Sequence, residues 1–228
     1  MKLNSSQLYT SLLTISSLIV LVLGFKMFLS GFYSAQTQLH LNQWQSNAKL
    51  TGIESWQLAQ DSSLKSREWY PVQDSFIEEK IGKVYQWSTY TGPLDNQDAI
   101  DKRKIALEAY RSQTNLTPLW PEAWINLMSI KIELNENDVE FNKAFSKAIE
   151  TSAQYSEIET KLAKIAIQSW HGLDQDTKNK AMNVIMKEVQ SSKTNSTNLK
   201  PILQSCNMLS LTCLYMNVKK LNSYDLCK

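Results

Sequence analysis

The sequence predicts an all-α protein, with an N-terminal transmembrane helix followed by antiparallel helical hairpins of the tetratricopeptide-repeat (TPR) type. Glycine and proline are scarce, at 6 and 5 of 228 residues, and alternating runs of Val, Thr and Tyr that would indicate strands are rare. A stretch without charged side chains covers residues 3–25. With 24 basic and 22 acidic side chains, the chain has no basic stripe for nucleic acid, so we expect no nucleic-acid partner.

The apolar stretch is long enough to cross a bilayer. As a helix rising about 1.5 Å per residue, residues 8–29 cover the roughly 30 Å hydrocarbon core, so residues 1–35 form the predicted membrane anchor. The alternative is a cleaved signal peptide, but the best cleavage position, before Gln36, has Tyr33 where a small residue is required. Lysines flank the span almost evenly, and the sparsely charged segment after it favours translocation of the domain that follows.

Helical periodicity continues after the span. Residues 36–95 are predicted to form a helical connector and the first helices, with a break at Gly52. Asp74 is expected to cap a helix, and residues 91–98 are expected to form a turn.

The segment 96–192 is the predicted TPR-like domain. Its helices are expected near residues 97–115, from Pro121 onward, after Asn137 or Asp138, near residues 157–170, and after Asp176 as N-cap.

The last segment, residues 193–228, is predicted to contain a C-terminal helix with cysteines. Residues 191–198 are interpreted as a polar linker, and Pro201 is expected to open the final helix. Cys206 and Cys213 lie about 10 Å apart along one continuous helix, too far for a disulfide, so either could pair with Cys227. Three buried or free thiols are the alternative.

The run "TPLWPEAWINL", residues 117–127, indicates how the hairpins meet. With Ala106 as the small residue of a second helix, Tyr110, Pro118, Trp124 and Leu127 follow at TPR offsets. We therefore expect these residues to shape a junction between hairpins. The complete predicted structural core is Ala106, Tyr110, Pro118, Pro121, Trp124, Leu127, Phe141, Phe145, Ala148 and Trp170.

The segment from Ala109 to Glu150, "AYRSQTNLTPLWPEAWINLMSIKIELNENDVEFNKAFSKAIE", together with "QSWHGLD" and the N-terminal anchor, resembles the VpsP family of bacterial exopolysaccharide-biosynthesis proteins. That resemblance implies a small single-pass protein of the bacterial inner membrane that carries a TPR-like helical domain, and the topology favoured above puts this domain in the periplasm. It further implies a part in making or exporting a matrix or capsular polysaccharide, with assembly and export proteins as partners. It supplies no catalytic residue.

Candidate chemistry is sparse. The two histidines, His40 and His171, have no carboxylate or cysteine at ligand or triad spacing and are interpreted as structural. Asp174 and Asp176 could hold a divalent metal, but helix capping and loop solvation explain both. Phosphate-binding and nucleophile-elbow motifs do not occur. We therefore expect no enzyme activity, catalytic residue, metal or cofactor.

Aromatic residues provide the remaining candidate binding site. We expect a group of partly exposed rings to bind a partner protein or to stack on a glycan, and a neighbouring arginine could bind a carboxylate or phosphate. These candidates are Trp69, Tyr70, Trp87, Tyr90 and Arg111. The sequence thus favours a non-catalytic scaffold that binds proteins; the alternatives are a carbohydrate-binding accessory and, last, a glycosyltransferase or hydrolase.

Overall fold

The protein is all-α, as the sequence predicts. The computed structural model describes residues 5–88, 96–152 and 156–227, and within these ranges it has 10 α-helices and no strand. The chain divides into two compact units, Met1–Leu116 and Thr117–Lys228. The division falls after Leu116, because the helix that follows residue 96 packs mainly on the helix before it.

The first unit consists of two helical hairpins. The first helix pairs with the second and the third with the fourth, while the third also contacts the first and second. A 3-10 turn at Ala48–Leu50 ends the first hairpin's leading helix, and Gly52 is the N-cap of the next, close to the predicted break. Residues 91–95 of the predicted turn lie outside the described residues. The helices are α1 Ser5–Ser46, α2 Ile53–Trp69, α3 Ser75–Trp87 and α4 Gln97–Leu116.

The start of α3 shows how local chemistry sets these boundaries. The Asp74 side chain accepts hydrogen bonds from the amides of Phe76, at 2.9 Å, and Ile77, at 3.1 Å. These amides have no partner within the helix, so the carboxylate stabilises its first turn. The predicted cap is therefore confirmed.

Tyr110 is the central wedge of the hairpin formed by α3 and α4. It is fully buried, as is Ala106 one turn before it. A Cβ atom on Gly82 of α3 would lie only 2.4 Å from the Tyr110 ring, so the two helices approach closely because Gly82 has no side chain. The Tyr110 hydroxyl donates a hydrogen bond to Oε1 of Gln86 at 2.8 Å.

The second unit stacks further hairpins. Counting from Pro121, its first helix pairs with its second and its third with its fourth. The first also contacts the third and the second the fourth, as in helical-repeat proteins. Pro121 occupies the first turn of its helix as predicted, and Asp138 rather than Asn137 caps the helix that follows. The helices are α5 Pro121–Glu133, α6 Val139–Thr151, α7 Ser156–Ser169, α8 Gln175–Ser191, α9 Lys193–Ser205 and α10 Leu209–Lys219.

The C-terminal segment differs from its prediction. The stretch interpreted as a polar linker is mostly helical, because the Ser192 hydroxyl caps α9 and Leu199 and Leu203 are buried. Pro201 lies inside α9 instead of opening a helix. The single final helix is divided into α9 and α10 by Asn207, whose φ of 56° is left-handed.

The division of that helix bears on the cysteines. Cys213 of α10 and Cys227 form a disulfide, while Cys206 is a free, half-buried thiol. One of the pairings that the sequence left open is thus realised. The bridge fixes the segment after α10 to that helix.

Most of the predicted core residues are buried. In the second unit Pro121, Leu127, Phe141, Phe145 and Ala148 lie in the core.

Three predicted core residues differ from this pattern. Pro118 is exposed, contrary to the prediction, because residues 117–120 form a surface turn closed by a hydrogen bond between Trp120 and Thr117. Trp124 is half-buried, and its Nε1 donates to the Pro118 carbonyl at 2.9 Å. Trp170 is also half-buried, since it begins a 3-10 turn after α7.

Candidate functional site

The N-terminal half of α1 presents a continuous apolar surface. Its large hydrophobic side chains from Tyr9 to Leu23 are between 41% and 68% exposed. Among the described residues, α1 is the one helix long and apolar enough to cross a membrane. An apolar surface of this extent on a protein marks an interaction site, and its length matches the hydrocarbon core of a bilayer.

The C-terminal half of the same helix belongs to the core of the first unit. Leu41 and Trp44 are fully buried and form an apolar cluster with Ala59 and Val84. Trp44 also donates from Nε1 to the Ser55 hydroxyl at 3.0 Å, and that hydroxyl lies 3.2 Å from Nδ1 of His40. The predicted structural role of His40 agrees with this contact. The exposed apolar half of α1 thus continues without a break into the half that is packed in the folded domain.

Two serines hold α1 against α2 where the folded domain begins. The Ser30 hydroxyl donates to the Ser66 carbonyl at 2.7 Å, and the Ser66 hydroxyl donates to the Ser30 carbonyl at 3.1 Å. Both residues are buried. Small side chains permit this close contact between helices, which fixes their register.

The structure does not bring the predicted aromatic group together. Trp69 and Tyr70 are half-buried at the end of α2, where the Trp69 ring lies 6.5 Å from that of Phe25. Trp87 is half-buried against Trp44, with ring centroids 6.1 Å apart.

The two tryptophan positions are therefore far apart. Phe25 and Trp44 are separated by about 28 Å along α1, so Trp69 and Trp87 lie at different ends of the unit. Tyr90 lies outside the described residues. Arg111 is half-buried and forms an ion pair with Glu108 on its own helix. Within the described part of the chain, Trp69 and Trp87 therefore do not share one binding face.

An open groove lies between α6, α7 and α8 of the second unit. Its volume is about 360 Å³, within the range of roughly 300–1,000 Å³ that small-ligand clefts occupy. Ile149, Leu162 and Val184 supply apolar surface, and Lys180 lies at the edge. An ion pair between Glu159 and Lys187 adds charged groups to the lining. Apolar surface bordered by charges is the usual composition of a protein-binding surface.

A buried lysine in the second unit was not predicted. Lys131 is fully buried, and its Nζ lies 2.8 Å from Glu140, 2.9 Å from Asp138 and 3.1 Å from Glu136. Burial opposes the charge on Lys131, but the hydrogen bonds to these carboxylates outweigh it and raise its pKa above 10.5. The acidic run after α5 was the available sequence signal. The network ties α5 to the start of α6.

The residues considered for metal or acid–base chemistry have structural partners. Asp174, rather than the predicted Asp176, caps α8, accepting a hydrogen bond from the Thr177 amide at 2.7 Å. Asp176 pairs with Lys180, and His171 is exposed in the 3-10 turn after α7. Within the described ranges, no group of three or more His, Cys, Asp or Glu side chains could hold a metal ion.

Neither the known protein families nor the curated proteins compared with this chain give a match.

Proposed function

We propose that this chain is a membrane-anchored, non-catalytic accessory protein that binds a partner protein of an exopolysaccharide or capsular polysaccharide assembly or export machine. The observation that carries the proposal is the dual character of α1. Its first half exposes apolar side chains to a length suited to lipid, and its second half is packed in the core of the first unit. A helix of this kind tethers a domain directly, without a flexible linker.

The disulfide supports a location outside the cytoplasm. Bridges such as that between Cys213 and Cys227 persist in oxidising compartments and are rare where glutathione and thioredoxin keep thiols reduced. The balanced charges around the span permit this orientation. We therefore place the chain in the inner membrane as a single-pass protein with its helical units in the periplasm.

The groove between α6, α7 and α8 supports partner binding. Its apolar lining suits a hydrophobic side chain of a polypeptide, and its charged edge suits the polar groups beside it. The polysaccharide context comes from the resemblance of residues 109–150 to the VpsP family. The carbohydrate-binding alternative has less support, because the two candidate tryptophans, Trp69 and Trp87, lie far apart and cannot form one stacking face together.

Site-specific photo-crosslinking in living cells tests the binding half of this proposal. A photoreactive amino acid at Asn183, which is exposed and lines the groove, should form an adduct with a specific envelope protein. The matched control is Leu119, which is 83% exposed in the same unit but does not line the groove. Mass spectrometry should identify a polysaccharide assembly or export protein in the Asn183 adduct alone. Identical adducts at both positions, or none at Asn183, would contradict a partner site in the groove.

A further inference from the structure

A second apolar surface lies where α2 turns into α3. Val72 is 67% exposed and Phe76 is 64% exposed, and Trp69 and Tyr70 beside them are half-buried. We call Trp69, Tyr70, Val72 and Phe76 the α2–α3 corner. These four residues are the most apolar part of the connection between the two helices. Exposed apolar surface that concentrates at one place on a protein marks a site of interaction with a protein or a membrane.

Contacts with α1 fix the position of this corner along that helix. Ser66 of α2 is hydrogen-bonded to Ser30 of α1, and three residues later Trp69 packs against Phe25. On the other side of the corner, Nζ of Lys80 on α3 donates to the Ser34 hydroxyl at 2.6 Å. The corner therefore lies beside the stretch of α1 between Phe25 and Ser34.

That stretch is where the hydrocarbon core ends. The first charged side chain after the apolar segment is Lys26. A roughly 30 Å core that begins at Tyr9 ends about 20 residues later, near Phe28. Phe28 and Phe32 are themselves 68% and 51% exposed on α1. Tryptophan and tyrosine are enriched at the lipid–water boundary, where their amphipathic rings meet the headgroup region, and Trp69 and Tyr70 lie at this depth.

Charges around the corner do not select an anionic partner. Lys26, Arg67 and Lys80 are positive, whereas Glu68, Asp74 and Glu78 are negative, and Arg67 lies 3.6 Å from Glu78. Attraction to this surface therefore comes from its apolar side chains. A zwitterionic lipid surface supplies the matching environment, and continuity with the apolar half of α1 makes it the occupant.

We propose that the α2–α3 corner inserts into the lipid–water boundary, so that the first unit rests on the membrane through a second contact besides α1. This inference depends on the proposed membrane anchoring. It assigns Trp69 and Tyr70 a role in lipid contact in place of glycan binding. The other helices of the first unit therefore cannot move freely relative to the bilayer, because the hydrogen bonds between Ser30 and Ser66 hold α2 against α1 at the depth of the lipid–water boundary.

Spin labels on the full chain in phosphatidylcholine nanodiscs test the inference. In a Cys206→Ser background, labels at Val72→Cys and Phe76→Cys report the corner, and a label at Ile53→Cys is the matched control. Ile53 is 78% exposed at the opposite end of α2, about 24 Å along the helix from Trp69. A label at Ile19→Cys reports the hydrocarbon core. Each labelled position has an exposed side chain, and far-UV circular dichroism verifies that the helices remain.

The readout is collision of each label with oxygen, which concentrates in lipid, and with a water-soluble nickel chelate. Labels at positions 72 and 76 should be relaxed less by the chelate and more by oxygen than the label at 53. If they match the label at 53 while the label at 19 reports lipid, the corner is in water and this inference fails, although the anchor stands. If the label at 19 also reports water, both the anchor and the corner contact are wrong.

Discussion

Replacing Gly82 with alanine should destabilise the first unit, although alanine is the better helix former. Gly82 lies in the interior of α3, where glycine costs about 1 kcal/mol relative to alanine. A new Cβ atom would, however, lie 2.4 Å from Cε1 and 2.7 Å from Cδ1 and Cζ of the Tyr110 ring. That ring is fully buried, and its hydroxyl is bound to Gln86, so it cannot move aside easily.

The two effects have opposite signs. Inserting a methyl group into a packed core typically costs about 1–3 kcal/mol. After the gain of about 1 kcal/mol in helix propensity is subtracted, Gly82→Ala should lower the free energy of unfolding by about 1 kcal/mol. Gly31→Ala is the matched control, because a Cβ atom on that helical glycine of α1 meets nothing within 4 Å. It should leave stability unchanged or raise it.

Urea unfolding of the detergent-solubilised full chain, followed by near-UV circular dichroism, measures both variants. A double-mutant cycle with Tyr110→Leu isolates the contact, because the smaller flexible side chain leaves room for the methyl group. In that background Gly82→Ala should no longer be destabilising. If Gly82→Ala is as stable as Gly31→Ala in the wild-type background, the proposed close packing of Tyr110 on α3 is wrong.

Two further predictions concern the second unit. Replacing both Cys213 and Cys227 with alanine removes a disulfide whose cysteines are 14 residues apart in sequence, and it should lower the free energy of unfolding of the second unit by about 3 kcal/mol. Unchanged urea midpoints would show that the bridge does not constrain the unfolded chain. Burial works against the charge of Asp138, but hydrogen bonds from the Phe141 amide and the Lys131 ammonium lower its pKa below the ordinary value of 3.8. The stabilisation that the Asp138 carboxylate contributes to the fold is therefore present above that value and is lost as the pH falls through the lower pKa of the folded state. Asp138→Asn, which can still cap α6, should therefore be destabilising at neutral pH and close to neutral in strong acid, and a loss independent of pH in urea titrations would contradict the ion pairing.

Features governed by neighbouring residues were predictable from the sequence. The uncharged run before Lys26 is sufficient to predict a helix that can span a bilayer. Asp74 and Asp138 precede apolar stripes of helical period, so their capping roles follow from local rules. The buried positions of Ala106 and Tyr110 likewise follow from the period of α4.

Features that depend on tertiary contacts were not predictable in this way. Residues 191–198 are rich in Ser, Thr and Asn, which favours a linker, yet packing of Leu199 and Leu203 in the core stabilises a helix there. Pro118 matches a repeat pattern by its spacing, but the turn that contains it lies on the surface. The spacing of residues in the sequence shows that a repeat position is occupied by proline, but it does not show whether that position is buried.

The candidate surfaces show the same distinction. The exposed aromatics were identified by composition, but their separation along α1 became evident only from the contacts of Trp69 with Phe25 and of Trp87 with Trp44. The serine pair that fixes α2 beside the span joins residues 36 positions apart, and neither serine has a local signal. The groove in the second unit likewise forms only where three successive helices, α6, α7 and α8, pack together.

The most direct test of the account is the fate of α1 in the native membrane. Protein carrying a C-terminal tag should remain in the pellet after alkaline carbonate extraction, and peptide mapping should recover residues on both sides of Ala35. Retention is expected because α1 continues without a break from the apolar stretch into the core at Leu41 and Trp44. Release into the supernatant of a species that begins at Gln36 would contradict the account, because it would identify the apolar stretch as a cleaved signal and remove Ser30 from its contact with Ser66.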